Sequence, residues 1–90
     1  MLEILKTRLP EGLEIVKVYD RTGASQLKIR FAYKGLERMG YLYKTCPPGE
    51  AENNCDFVIQ TMMMTFAMDM GDLAAAKYWA NKQMAQTQRM

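Results

Sequence analysis

The sequence predicts an α+β fold: a three-stranded antiparallel meander packed on two C-terminal helices, with a short N-terminal helix. Three observations carry this. Residues 13–45 alternate apolar and polar side chains in runs separated by turn residues, the period-two mark of half-buried strands. Residues 54–85 change to apolar recurrence at three and four positions, the helical period. Between them lies the loop Cys46–Asn53, where Pro47, Pro48 and Gly49 deny regular structure.

In chain order, Leu2–Leu9 is short enough to read as helix or strand. As a helix it places Leu2, Leu5 and Leu9 on one face, and Pro10-Glu11-Gly12 ends it. Leu13–Asp20 alternates, with Val16 and Val18 on one face and Ile15, Lys17 and Tyr19 on the other. Asp20-Arg21-Thr22-Gly23 has Asp first and Gly last, as a β-turn prefers. In Ser25–Lys34, Leu27, Ile29, Phe31 and Tyr33 oppose Lys28, Arg30 and Lys34, so the first set is expected under the helices. Gly35-Leu36-Glu37 reads as the next turn. Arg38–Thr45 follows, with Met39, Tyr41 and Tyr43 opposite Gly40, Leu42 and Lys44.

The helical pair is expected at roughly Cys55–Met70 and Leu73–Met84. Asn54 is the expected N-cap of the first helix, Gly71 its left-handed close and Asp72 the cap of the second. The first helix carries an apolar stripe of Phe57, Val58, Ile59, Met62, Met63, Phe66, Ala67 and Met70. Met62, Met63 and Met64 are consecutive, and at about 100° per residue they cannot share one face. Either that helix is covered on two sides, or a methionine is exposed. The second helix is rich in alanine and is expected to fray from Gln86 to Met90.

Ninety residues, 49% of them hydrophobic, fit one domain with a small core, divided as 1–12, 13–45, 46–53, 54–85 and 86–90. No apolar run approaches the about 20 residues that span a bilayer, and the start lacks a secretory apolar core. No membrane role and a cytoplasmic location are therefore expected. The net charge of +2 hides a division: residues 13–45 carry seven basic and three acidic groups, and residues 46–76 five acidic and none basic. Such a split orients a charged partner.

The strand pattern gathers Lys17, Lys28, Arg30, Lys34 and Lys44 on one sheet face with Tyr19, a combination able to meet phosphates and stack a base. An outward sheet face must be polar in any case, and lysine on strands suppresses edge pairing. Cys46 and Cys55 flank an eight-residue loop. A disulfide there is disfavoured in a reducing compartment, and two inert thiols are the expectation. The chain has no histidine, so zinc sites and the usual Ser-His and Cys-His nucleophiles lack their partner. Neither a P-loop nor a GxGxxG is present. No enzyme activity, no metal and no cofactor are expected. Trp79 with Tyr78, Lys77, Lys82 and Arg89 makes a second aromatic and basic end.

The order helix, three strands, helix over about residues 2–70 resembles the double-stranded-RNA-binding domain. That family presents lysines at the start of its last helix, which would imply a grip on phosphates. The matching turn here carries Glu50, Glu52, Asn53, Asn54, Cys55 and Asp56, the opposite charge.

The expected function is therefore non-catalytic protein binding, as an adaptor or as a steric inhibitor of a larger complex, a nucleic-acid-processing one included. The contacts expected are Tyr19, Lys28, Arg30, Met64, Met68 and Trp79. The alternatives are a nucleic-acid-binding protein using Lys17, Lys28, Arg30, Lys34 and Lys44, and a homo-oligomeric (homodimeric) assembly protein built on the methionine helix.

Overall fold

The tight turn at Lys34-Gly35 sets the frame of the molecule. In the structure, a computed structural model describing residues 1–88, both turn residues have positive φ, 49° and 83°. This is the twist that a two-residue hairpin needs, with glycine free to supply its second position. The turn joins β2, Gln26–Tyr33, to β3, Leu36–Tyr43, in unbroken antiparallel register from Tyr33↔Leu36 to Gln26↔Tyr43. β1, Glu14–Tyr19, pairs with the other side of β2, giving the order β1-β2-β3. The expected turn at Gly35-Leu36-Glu37 is thus corrected: the strand begins at Leu36.

β1 departs from plain alternation. Its register passes from Ile15↔Phe31 directly to Lys17↔Arg30, so Val16 is an extra residue in a β-bulge. The bulge turns Ile15 and Val18 both toward the core, leaves Val16 48% exposed and sends Lys17 and Tyr19 outward. Val16 and Val18 therefore do not share a buried face, as alternation alone requires.

On the inner face Leu27, Ile29, Phe31 and Leu42 are buried as expected. Against them lies α2, Ala51–Asp69, through Cys55, Ile59, Met62, Met63, Phe66 and Ala67. α1, Leu2–Arg8, is a helix, with Leu5 fully buried and Arg8 forked onto Asp56 of α2. One continuous cluster of apolar side chains joins the sheet, α1 and α2, with Trp79 of α3 at its margin.

α2 starts four residues before the expected Cys55. Glu50 occupies the N-cap position, and Asn54 lies inside the first turn, where its Nδ2 donates to the Glu50 carbonyl at 2.9 Å. At the other end the Asp72 N–H donates to Ala67 O at 2.8 Å and the Gly71 N–H to Met68 O at 3.0 Å, the paired closure of a Schellman motif. Asp72 then caps α3, Leu73–Gln88, its Oδ1 accepting the Ala75 N–H at 3.1 Å.

α3 docks on α2, and its seam is polar. Gln83 Nε2 donates to Thr61 Oγ1 at 2.8 Å and to Phe57 O, while Gln60 Nε2 donates to Gln86 Oε1 and Gln86 Nε2 to Asn53 O, both at 2.7 Å. The last two bonds join Gln86 to α2, and α3 runs through it to Gln88, in place of the expected tail from Gln86. Arg89 and Met90 lie outside them.

Candidate functional site

The helices occupy one side of the sheet, and the side chains of the other side stand in rows set by register. Tyr19, Lys28 and Tyr41 form one row across β1, β2 and β3, and Lys17, Arg30 and Met39 the next. Gln26 pairs with Tyr43 beyond the first row, and Ala32 lies between Glu14 and Glu37 at the far end. Directly opposed side chains on one face of a sheet are in contact range. The face is therefore graded along the strands: acidic near Lys34-Gly35, then basic, then aromatic toward the β1–β2 turn.

Its anchors are open. Tyr41 is 53% exposed, Tyr43 49% and Met39 37%. Tyr19 is half-buried, with Lys17 Nζ 5.0 Å and the Arg30 guanidinium 5.8 Å from its ring centre, a cation–π arrangement that holds both charges over the face. Arg30 also reaches Glu37 at 3.8 Å. Lys17, Lys28 and Arg21 are exposed and have no ion-pair partner among the described residues. At the aromatic end Tyr19, Arg21, Ala24, Ser25, Gln26, Lys28 and Tyr41 line a shallow groove of about 420 Å³.

Two of the five lysines and arginines expected here are elsewhere. Lys34 is in the turn, with its Nζ 5.3 Å over the ring of inward-facing Tyr33. Lys44 Nζ is bound to Asp20 Oδ1 at 2.6 Å and to the Arg21 carbonyl at 2.8 Å, which neutralises Asp20 rather than adding to the face. A turn centred on Leu36 would set Lys28 opposite Lys44. The two-residue turn sets it opposite Tyr41, and this is why sequence reasoning left Tyr41 and Tyr43 out of the site.

The contacts expected for protein binding do not form one surface. Tyr19, Lys28 and Arg30 are on the outer sheet face. Met64, Met68 and Trp79 belong to the helices on the opposite side. Met68 is 62% exposed, whereas Met64 and Trp79 are half-buried. Trp79 meets Tyr78 edge to face at 5.3 Å, and Lys82 Nζ lies 5.4 Å from both ring centres. Phe57, Leu73 and Met84 are further exposed apolar side chains of α2 and α3.

Both cysteines are free thiols. Cys46 Sγ donates to Met1 Sδ at 3.1 Å, and buried Cys55 to the Met1 carbonyl at 3.7 Å. Burial pushes the Cys55 thiol up from its ordinary value, with Asp56 and Cys46 adding to this and the N-terminal ammonium and Arg8 opposing it. Because α2 begins at Ala51, Cys55 has left the exposed first turn, where a helix lowers a thiol pKa. Among the described residues no cluster of three or more Cys, Asp or Glu is placed to hold a metal ion. No helix there is long and apolar enough to cross a membrane.

No protein-family model, curated protein or solved structure matches the chain. The resemblance to the double-stranded-RNA-binding domain therefore rests on the order of elements from Leu2 to Asp69.

Proposed function

We propose that the protein is a non-catalytic, cytoplasmic binding module whose docking surface is the outer face of the sheet and whose partner is an anionic macromolecule. The observation that carries this is the pair of rows Tyr19–Lys28–Tyr41 and Lys17–Arg30–Met39 on a face that no helix among the described residues packs against. Tyrosine, arginine and methionine are enriched where interfaces concentrate their energy. Here they sit beside Lys17 and Lys28, which have no carboxylate partner among the described residues. Binding of this kind acts by occupying a partner's surface, as an adaptor or a steric inhibitor does, and needs no catalytic group. The test is capture of partners from a lysate on immobilised protein at low and moderate salt. The double variant Lys28→Glu, Arg30→Glu loses the captured set, and Met68→Ser keeps it. The reverse pattern overturns the proposal.

A second reading rests on the exposed Phe57, Met68, Leu73 and Met84. Apolar side chains on two adjoining helices suit a protein partner or a second copy of the chain. Light scattering over a hundredfold range of concentration separates the two, since only self-association raises the mass of the pure protein.

A further inference from the structure

The groove at the aromatic end of the face has a more specific composition than the face as a whole. Tyr19 and Tyr41 stand one strand to either side of Lys28, roughly 10 Å apart at two strand spacings. Tyr41 offers an open ring face. Arg21 and Lys28 supply two cations with no ion-pair partner among the described residues, and Gln26 a side-chain amide able both to donate and to accept. Asp20, the acid nearest in sequence, is already held by Lys44. These are the three parts that an unpaired nucleotide needs: a flat apolar platform for its base, an amide for the base edge and cations for its phosphate. Tyr43 then repeats the platform two residues along β3, on the same face and opposite Gln26, roughly 7 Å farther on.

We infer that this groove and Tyr43 bind single-stranded nucleic acid, with bases on Tyr41 and Tyr43 and the backbone along Lys28 and Arg21. The inference rests on the proposed docking surface and names its partner. Two platforms in line favour a strand over a free nucleotide. Duplex keeps its bases stacked on one another and cannot use them. Residues 46–76 carry no cation with which the start of α2 could grip duplex phosphates, and Arg8, which reaches α2, is already forked onto Asp56. The carboxylates of an acidic protein segment would satisfy the cations but offer no flat rings to match the two open tyrosines.

The test is fluorescence anisotropy with labelled 12-mer oligo(dT) and oligo(U), the matching duplex, adenosine monophosphate and poly-glutamate, at low and moderate salt. The single strands bind, and more tightly than duplex, monophosphate or poly-glutamate. Tyr41→Ala with Tyr43→Ala weakens single-strand binding about tenfold or more, as lost base stacking does. Tyr41→Phe with Tyr43→Phe retains it. Lys28→Ala lowers the salt slope by about 0.7. All four tyrosine substitutions are at exposed positions, and their unfolding midpoints are checked against the parent.

Poly-glutamate bound more tightly than the strands, with loss in Lys28→Glu, overturns the inference and leaves an acidic protein on the docking face. Monophosphate bound as tightly as the 12-mer overturns the strand. No binding of any probe overturns the inference, and the partner capture described above then decides the docking face on its own.

Discussion

Gly40 lies so close to Met62 that a Cβ at this position would sit 2.8 Å from Met62 Sδ, and 2.8 Å from Cε2 of Phe31. Gly40 faces Ile29 across the strands, and the missing side chain lets α2 settle onto β3. Met62 can shift its flexible end, but Phe31 is fully buried and cannot. Gly40→Ala is therefore an overpacking substitution, with an expected cost of about 1–3 kcal/mol. Urea unfolding should show a lower midpoint with the slope unchanged.

The same strand explains where the sequence was legible and where it was not. Alternation placed Leu27, Ile29 and Phe31 inside, because side-chain direction depends only on parity along a regular strand, but on β3 it grouped Lys44 with Lys28 and so set the Leu42 side outward, where the structure has Met39, Tyr41 and Tyr43. Cross-strand partners depend on the turn instead, and Lys34 at positive φ gave no compositional sign of being a turn residue. A turn at Gly35-Leu36-Glu37 changes every partner of β2 on β3. The bulge at Val16 is invisible for a related reason: valine suits a strand whether or not it is paired. On α2, Asn54 outranks Glu50 as a cap by propensity, yet it lies inside the first turn, with its side-chain amide donating to the Glu50 carbonyl.

Arg8 and Asp56 tie α1 to α2. Nε and Nη2 of the guanidinium donate to the two carboxylate oxygens, both at 2.7 Å. The pair is partly exposed, 38% and 28% by side chain, so solvent screening limits its worth to about 1 kcal/mol or less. Arg8→Ala should cost that much, and faster amide exchange should be confined mainly to Leu2–Arg8. Arg8→Lys should recover little, because an ammonium cannot make the two-pronged contact. High salt should narrow the gap between parent and variant.

Cys55 gives a pH dependence whose sign follows from burial. Its thiol is pushed up in the folded chain, so the unfolded chain loses its proton first, at about 8.5. Above that pH the folded state holds more protons than the unfolded one, and stability falls as pH rises. Below it the contribution is fully present. Urea midpoints for the parent should decline above about pH 8.5, and Cys55→Ala should decline less. A thiol reagent should modify half-buried Cys46 quickly and Cys55 only at the rate of local opening. Equal rates would remove the argument.

The methionines of α2 divide by angle, and each can be tested by substitution. Met62 and Met63 are 3% and 6% exposed, whereas Met68 is 62% exposed. Met64 is half-buried between them. The helix is covered by the sheet and α1 on one side and by α3 on another, which is how two of three consecutive methionines become core. Met62→Ala and Met63→Ala should each cost about 2–5 kcal/mol, the range for emptying a buried aliphatic site. Met68→Lys should stay within about 0.5 kcal/mol of the parent, as an exposed position does. That second value separates a lone surface methionine from one covered by another copy. In a self-associating protein the unfolding midpoint rises with concentration, and a lysine in the covered patch would remove that rise. A Met68→Lys variant with the same midpoint as the parent at every concentration means that α2 meets no second copy through Met68.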